Sequence, residues 1–146
     1  NTVTETAFST TFSIPANRLR VGSVLSLRAR ASVSSGNSTD TLTLRARLTD
    51  AAGAVLGAGL AFDVTNGGGD VGDINLQMVV RTLGAAGTMM SVGTIGLLTA
   101  VQAAGSAGAV TIDTTAAITL VITAQWSVAS ASNSVTMDGG SLQIVG

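Results

Sequence analysis

Apolar residues recur at every second position through most of this chain, and that period fits strands and not helices. In the segment from Val24 to Val33, Leu25, Leu27, Ala29 and Ala31 form one row, with Ser26, Arg28 and Arg30 on the other. From Thr41 to Thr49, Leu42, Leu44, Ala46 and Leu48 oppose Thr43, Arg45 and Arg47. Both segments contain Leu-x-Leu-Arg-Ala-Arg. From Ala117 to Trp126, Ile118, Leu120, Ile122, Ala124 and Trp126 share one face, and Thr119, Val121, Thr123 and Gln125 the other. That second row holds threonine and glutamine rather than charge, which suits a surface that stays partly dry or meets a neighbouring subunit. Trp126 falls on the apolar row, so it reads as a core residue rather than a sugar-stacking platform.

The remaining segments follow the same rule. Phe8, Thr10, Phe12 and Ile14 share one parity and end at a Pro15-Ala16-Asn17 turn. Weaker strands are expected over Ala54 to Val64, Ile74 to Leu83 and Met89 to Ala103, with Asn66 to Asp70 as a glycine loop. Val135 and Met137, a Gly139-Gly140 turn, then Leu142 and Ile144 close the chain. No window shows a persuasive helical repeat. The pattern predicts an all-β fold: an antiparallel β-sandwich, jelly-roll-like, with about eight strands in a single domain, 1–146. Eighteen glycines and 3% aromatic residues imply a core of small aliphatics. Each buried side chain then contributes only about 1 to 3 kcal/mol, and oligomerisation is a natural supplement.

Histidine, cysteine, tyrosine and lysine are all absent. The catalytic inventory reduces to eight carboxylates, seven guanidiniums and hydroxyls, so the chain is not expected to be an enzyme or to carry a cofactor. The uncharged run from Thr82 to Ile112 is interrupted by six glycines and by Ser, Thr and Gln, which favours buried sheet over a membrane helix. No membrane association is expected.

Four of the seven arginines stand in the two matched pairs. If the two segments form a hairpin across the turn-rich Ser34 to Asp40 stretch, Arg28 lies opposite Arg45 or Arg47, and all four cluster on one outer patch. Compensation is expected from Asp40, Asp50, Asp63 or Asp113, or from acceptors on a partner. Direct nucleic-acid binding is disfavoured, because net charge is −1 and stacking aromatics are scarce. Arg18 and Arg20 form a third pair, beside Pro15, read mainly as loop or strand-entry residues, with extension of the same contact surface as the second reading. Asp70 and Asp73, in the Asn66 to Asn75 stretch, are weak metal candidates whose spacing completes no metal loop. Asn37-Ser38-Thr39 is a glycosylation sequon in a presumed loop.

The order SIPANRLRVGSVLSLRARASV, TLTLRARL, INLQMVVRTLG and ITLVITAQWSVASASNSVTM resembles small structural proteins of tailed bacteriophages. The residues that carry the resemblance are Asn17, Gly22, Trp126, Ser127 and the stretch from Ala129 to Asn133. The resemblance implies a jelly-roll-like homotrimer on the virion, on the outer surface of the capsid. There a decoration, or cement, protein contacts the major capsid protein and stabilises the shell. The alternative that the resemblance implies is a tail or head-fibre module that binds a host receptor glycan. It transfers no catalytic residues. The Gly84 to Gly108 stretch departs from the pattern.

Overall fold

The computed structural model describes residues 2–64, 69–98 and 100–146. Eleven strands form two antiparallel sheets that enclose one core, a β-sandwich. In chain order they are β1 (Thr6–Ile14), β2 (Val24–Ser34), β3 (Thr41–Leu48), β4 (Val55–Ala58), β5 (Phe62–Asp63), β6 (Asp70–Thr82), β7 (Gly87–Leu97), β8 (Ala100–Gly105), β9 (Val110–Ile112), β10 (Ile118–Trp126) and β11 (Ser134–Val145). One sheet runs β1-β10-β3-β4, with β5 also on β3. The other runs β11-β2-β6-β7-β8, with β9 also on β7. Passage from β1 to β2 to β3, and from β10 to β11, crosses between sheets each time.

The expected faces hold in the three clearest strands. Leu25, Leu27, Ala29, Ala31 and Val33 of β2 are buried, as are Leu42, Leu44, Ala46 and Leu48 of β3. In β10, Ile118, Leu120, Ile122, Ala124 and Trp126 are buried. Small residues let the layers approach closely. A Cβ added at Gly72 of β6 would lie 2.9 Å from Leu44 Cδ1 of β3, in the facing sheet.

The hairpin expected between the arginine-bearing segments does not form. β2 and β3 belong to different sheets, so the intervening turn-rich stretch is a crossover. A buried polar knot anchors it. Asn133 donates through Nδ2 to Asp40 Oδ2 at 2.8 Å, while its Oδ1 accepts from Gly36 N at 3.2 Å and lies 3.1 Å from Ser35 Oγ. Asn133, Asp40 and Ser35 are all buried, which binds the β2–β3 crossover to the loop preceding β11. Arg28 therefore pairs in register with Ser141 and Asn75, and Arg45 with Thr123 and Ala58. No arginine of either pair opposes one of the other.

Several boundaries also differ. The expected Ala54 to Val64 strand divides into β4 and β5, and Met89 to Ala103 into β7 and β8. β6 begins at Asp70, four residues ahead of the expected Ile74, and Asn66, Gly67 and Gly68 of the expected glycine loop lie outside the described residues. The uncharged run from Thr82 to Ile112 supplies β7, β8 and β9. Among the described residues, no helix is long and apolar enough to cross a membrane.

The Gly139-Gly140 turn is likewise replaced by a bulge within one continuous strand. Along β11 the register to β2 runs Met137↔Ala31 and then Gly139↔Arg30, leaving Asp138 as the extra residue. The bulge reconciles two parities. Val135 and Met137 are odd-numbered and Leu142 and Ile144 even-numbered, yet all four pack against the core because one residue is skipped between them. Deletion of Asp138 should turn one of these apolar pairs toward solvent and lower unfolding free energy by roughly 2 to 4 kcal/mol. Asp138→Gly, which keeps the extra residue, should cost about 1 kcal/mol or less. Urea denaturation of both variants checks the difference.

Candidate functional site

The two arginine pairs occupy opposite outer faces of the sandwich and have different surroundings. On the five-stranded sheet, Arg45 and Arg47 project from β3 toward Glu5, the one glutamate in the chain. The segment leading into β1 runs along β10, with Trp126 N donating to Thr2 O at 3.1 Å and Gln125 Nε2 to Val3 O at 2.9 Å. This carries Glu5 over the row formed by Val121, Thr123, Arg45 and Arg47.

Glu5 accepts from both guanidiniums. Arg47 Nε reaches Oε1 at 2.6 Å and Nη2 reaches Oε2 at 2.8 Å, a bidentate pairing. Arg45 Nη1 donates to Oε2 at 2.9 Å and to Gln125 Oε1 at 3.1 Å. Arg47 Nη1 donates to Gly53 O at 2.7 Å, and the Thr123 hydroxyl donates to Glu5 Oε1. Only 14% of the Glu5 side chain is exposed. This cover also explains why Val121 and Thr123 are buried although they point away from the core. The dry outer row of β10 is covered by the protein's own N-terminal segment.

Burial pushes the Glu5 carboxyl upward. Hydrogen bonds from Arg47 and Thr123, with the charges of Arg45 and Arg47, outweigh that and hold it below the usual glutamate value. The hydrogen bond to Glu5 in turn raises Arg47.

On the six-stranded sheet the arginines are open. Arg30 Nε lies 3.5 Å from Asp73 Oδ1, but 65% of the Arg30 side chain is exposed, so the pair contributes at most about 1 kcal/mol. Arg28 is exposed, and its guanidinium has no hydrogen-bond or ion-pair partner among the described residues. Both line a groove of about 560 Å³ with Asp73, Asn75, Asp138 and Ser141. A smaller hollow of about 290 Å³, lined by Ser26, Arg28, Ser141 and Gln143, shares Arg28 with it.

The β11 bulge opens this groove. Gly139 stands beside Arg30 in register and nothing lies within 4 Å of where its Cβ would be, so no neighbouring side chain fills the outer face there. Gly140 faces inward, where a Cβ would meet Phe12 Cζ at 2.7 Å. Asp138 is turned onto the outer face and accepts from the Ser32 hydroxyl, with distances of 3.0 Å to Oδ1 and 2.9 Å to Oδ2.

The expected cluster of four guanidiniums is thus two separate pairs. Of the anticipated acidic partners, Asp40 is in the buried Asn133 knot and Asp50 accepts from Ala52 N in a turn. Asp113 bonds Thr115, and those bonds hold its carboxyl below the usual aspartate value. Asp63 is exposed on β5. Arg18 and Arg20 are exposed in the β1–β2 connection and do not line the groove. Asp73 contacts Arg30, and no group of three or more metal-ligating His, Cys, Asp or Glu side chains occurs among the described residues. Asn37 of the sequon accepts through Oδ1 from Thr39 N and Asp40 N, both at 2.9 Å, in a local turn.

The open site offers a free guanidinium, a weakly paired one, two carboxylates and neutral polar groups. Its guanidiniums have the planar geometry to pair with anionic or hydrogen-bonding groups. Compared with known proteins, the chain matches no family model, no curated protein and no solved structure.

Glu5→Gln should lower unfolding free energy by about 2 to 4 kcal/mol at neutral pH, because it leaves two partly buried guanidiniums without their counter-charge. Glu5 has a folded-state pKa below its ordinary value. Its contribution is fully present above the unfolded carboxylate range and is lost as pH falls through the folded value. The stability gap between wild type and Glu5→Gln should therefore narrow below about pH 4. Paired urea titrations at pH 7 and pH 3 measure that gap.

Proposed function

We propose that this chain is a non-enzymatic structural module of a tailed-bacteriophage virion, and specifically a capsid decoration protein on the outer surface of the head. In this reading the Arg28 face of the six-stranded sheet docks on carboxylates or carbonyls of the major capsid protein. The supporting observation is the difference between the pairs. Arg45 and Arg47 are neutralised within the fold, whereas Arg28 is exposed beside Arg30 on an open groove. A guanidinium without an internal partner suits bidentate pairing with an external carboxylate.

The residues that carry the phage resemblance also have structural roles compatible with it. Asn17 and Gly22 adopt the positive φ values, 59° and 87°, needed for the β1–β2 connection. Trp126 fills the core, and Asn133 centres the buried knot. The groove's Asp73, Asn75, Asp138 and Ser141 also suit sugar hydroxyls, which is the observation favouring the second reading, a tail or head-fibre module for a host glycan.

The two readings separate on the particle. Under the decoration reading, Arg28→Gln with Arg30→Gln should fold normally and lose affinity for undecorated heads by roughly tenfold or more, about 1.4 kcal/mol per tenfold. Binding of the wild type should weaken as salt rises. Arg45→Gln with Arg47→Gln should instead lower thermal stability. Unchanged head occupancy of the Arg28/Arg30 variant rejects the docking face, and binding to host cells with no binding to heads favours the fibre module.

A further inference from the structure

The outer face of the six-stranded sheet carries more than the Arg28 groove. Register places Val145 of β11 beside Val24 of β2, Val24 beside Val79 of β6, and Val79 beside Met90 of β7. These four apolar side chains form one ladder across four strands, about 14 Å long at the usual strand spacing. Val92, two residues beyond Met90 on the same face of β7, widens it. Val145 is 65% exposed, Val92 67% and Val79 40%, while Val24 and Met90 are half-buried. Strand propensity alone does not require this, since threonine serves at Thr88 and Thr94 in the same outer row of β7. Single exposed apolar residues are ordinary on a protein surface, whereas a contiguous patch marks a contact site.

Arginines without a carboxylate stand on both sides of the ladder. Arg28 lies two rows away on β2, beyond the Ser26 and Gln77 row. Arg81 is two residues past Val79 on β6, and its Nη1 lies 3.1 Å from Met90 Sδ, so it borders the ladder directly. Neither guanidinium has an acidic partner among the described residues. The carboxylates beside the groove are engaged, Asp73 with Arg30 and Asp138 with the Ser32 hydroxyl.

We propose that this face, from Arg28 through the valine ladder to Arg81, is one protein-docking footprint, and that its partner is a protein surface with an apolar ridge bordered by carboxylates. The proposal rests on the reading that the Arg28 face docks on another protein, and adds an apolar half to it. The occupant follows from the combination of groups. A glycan or a nucleic acid could use the arginines but would leave the ladder in water, and β2, β6, β7, β8 and β11 offer no aromatic ring for stacking. A second copy laid face to face would match valine with valine, but it has only the engaged Asp73 and Asp138 to offer Arg28 and Arg81. A partner with free carboxylates satisfies both halves: the apolar contact supplies affinity, and the arginines fix orientation. In the decoration reading that partner is the major capsid protein.

The test uses undecorated heads and variants that keep strand geometry. Val79→Thr with Val92→Thr preserves β-branching at exposed positions, so its urea midpoint should match that of the wild type. Its affinity for heads should nevertheless fall roughly tenfold or more, as expected when two apolar contacts are lost. Arg81→Gln should also weaken binding and make it less dependent on salt. In about 1 M salt, where the screening length is about 3 Å, wild-type binding should weaken but persist, and the double valine variant should bind no better than background. Val128→Thr, in the loop between β10 and β11, should bind as the wild type does. Loss of binding in Arg28→Gln with no change in the double valine variant overturns the proposal and leaves the Arg28 docking face standing. A wild type that binds no heads overturns both.

Discussion

The fold depends on keeping one row of each strand between the two sheets. The core is made mostly of leucine, isoleucine, valine, alanine and methionine, with Phe12, Phe62 and Trp126 among them, and a strand in the wrong register would turn its whole apolar row away from it. The irregularities of the strands are therefore informative. In β11 the skipped Asp138 brings odd-numbered Val135 and Met137 and even-numbered Leu142 and Ile144 to the same side. In β6 and β7 the register shifts only beyond Val80, after the last buried residue of β6 has been placed. In these two places the departure from regular pairing preserves the buried row or comes after it has ended.

Charge is distributed by a similar economy. The one glutamate sits where the chain enters β1 and meets two arginines that lie forty and forty-two residues later. Its cost of burial is offset because it accepts from Arg45, Arg47 and the Thr123 hydroxyl at once. That arrangement covers the outer row of β10, the central strand between β1 and β3, and makes β10 buried on both faces. The sequence Leu-x-Leu-Arg-Ala-Arg consequently has two meanings in one molecule. In β3 the arginines fasten the N-terminal segment; in β2 they face solvent.

Faces were legible from sequence because parity is local: Leu27 and Arg28 must point oppositely whatever β2 pairs with. Partners were not legible, because parity is silent about which sheet a strand joins. Ser34 to Asp40 has the composition of a hairpin turn, and the same residues make the crossover. The crossover is held by contacts remote in sequence, among them the Asn133–Asp40 hydrogen bond, between residues ninety-three positions apart. Glu5 escaped notice for the same reason, although a solitary glutamate just ahead of a strand, in a chain with repeated Arg-x-Arg, was a signal available for use. The β11 bulge was also written in the numbering, as a change from odd to even apolar positions; the two glycines at the change suggested a turn instead.

These assignments constrain how the molecule can be used. The Glu5 side is occupied by its own chain, and a ligand arriving there would have to displace a bidentate ion pair and expose Val121 and Thr123. The Arg28 side needs no such displacement, since its groove is already free of side chains at Gly139. The bulge thus links the interior to the surface: the extra residue that aligns the apolar row also turns Asp138 outward and leaves Gly139 as the floor beside Arg30. Because the same strand forms the exposed edge of the sheet, an insertion or deletion near Asp138 alters core register, groove shape and edge geometry together. Substitution of Arg28 alters only the groove, which makes that side chain the cleanest probe of recognition separate from folding.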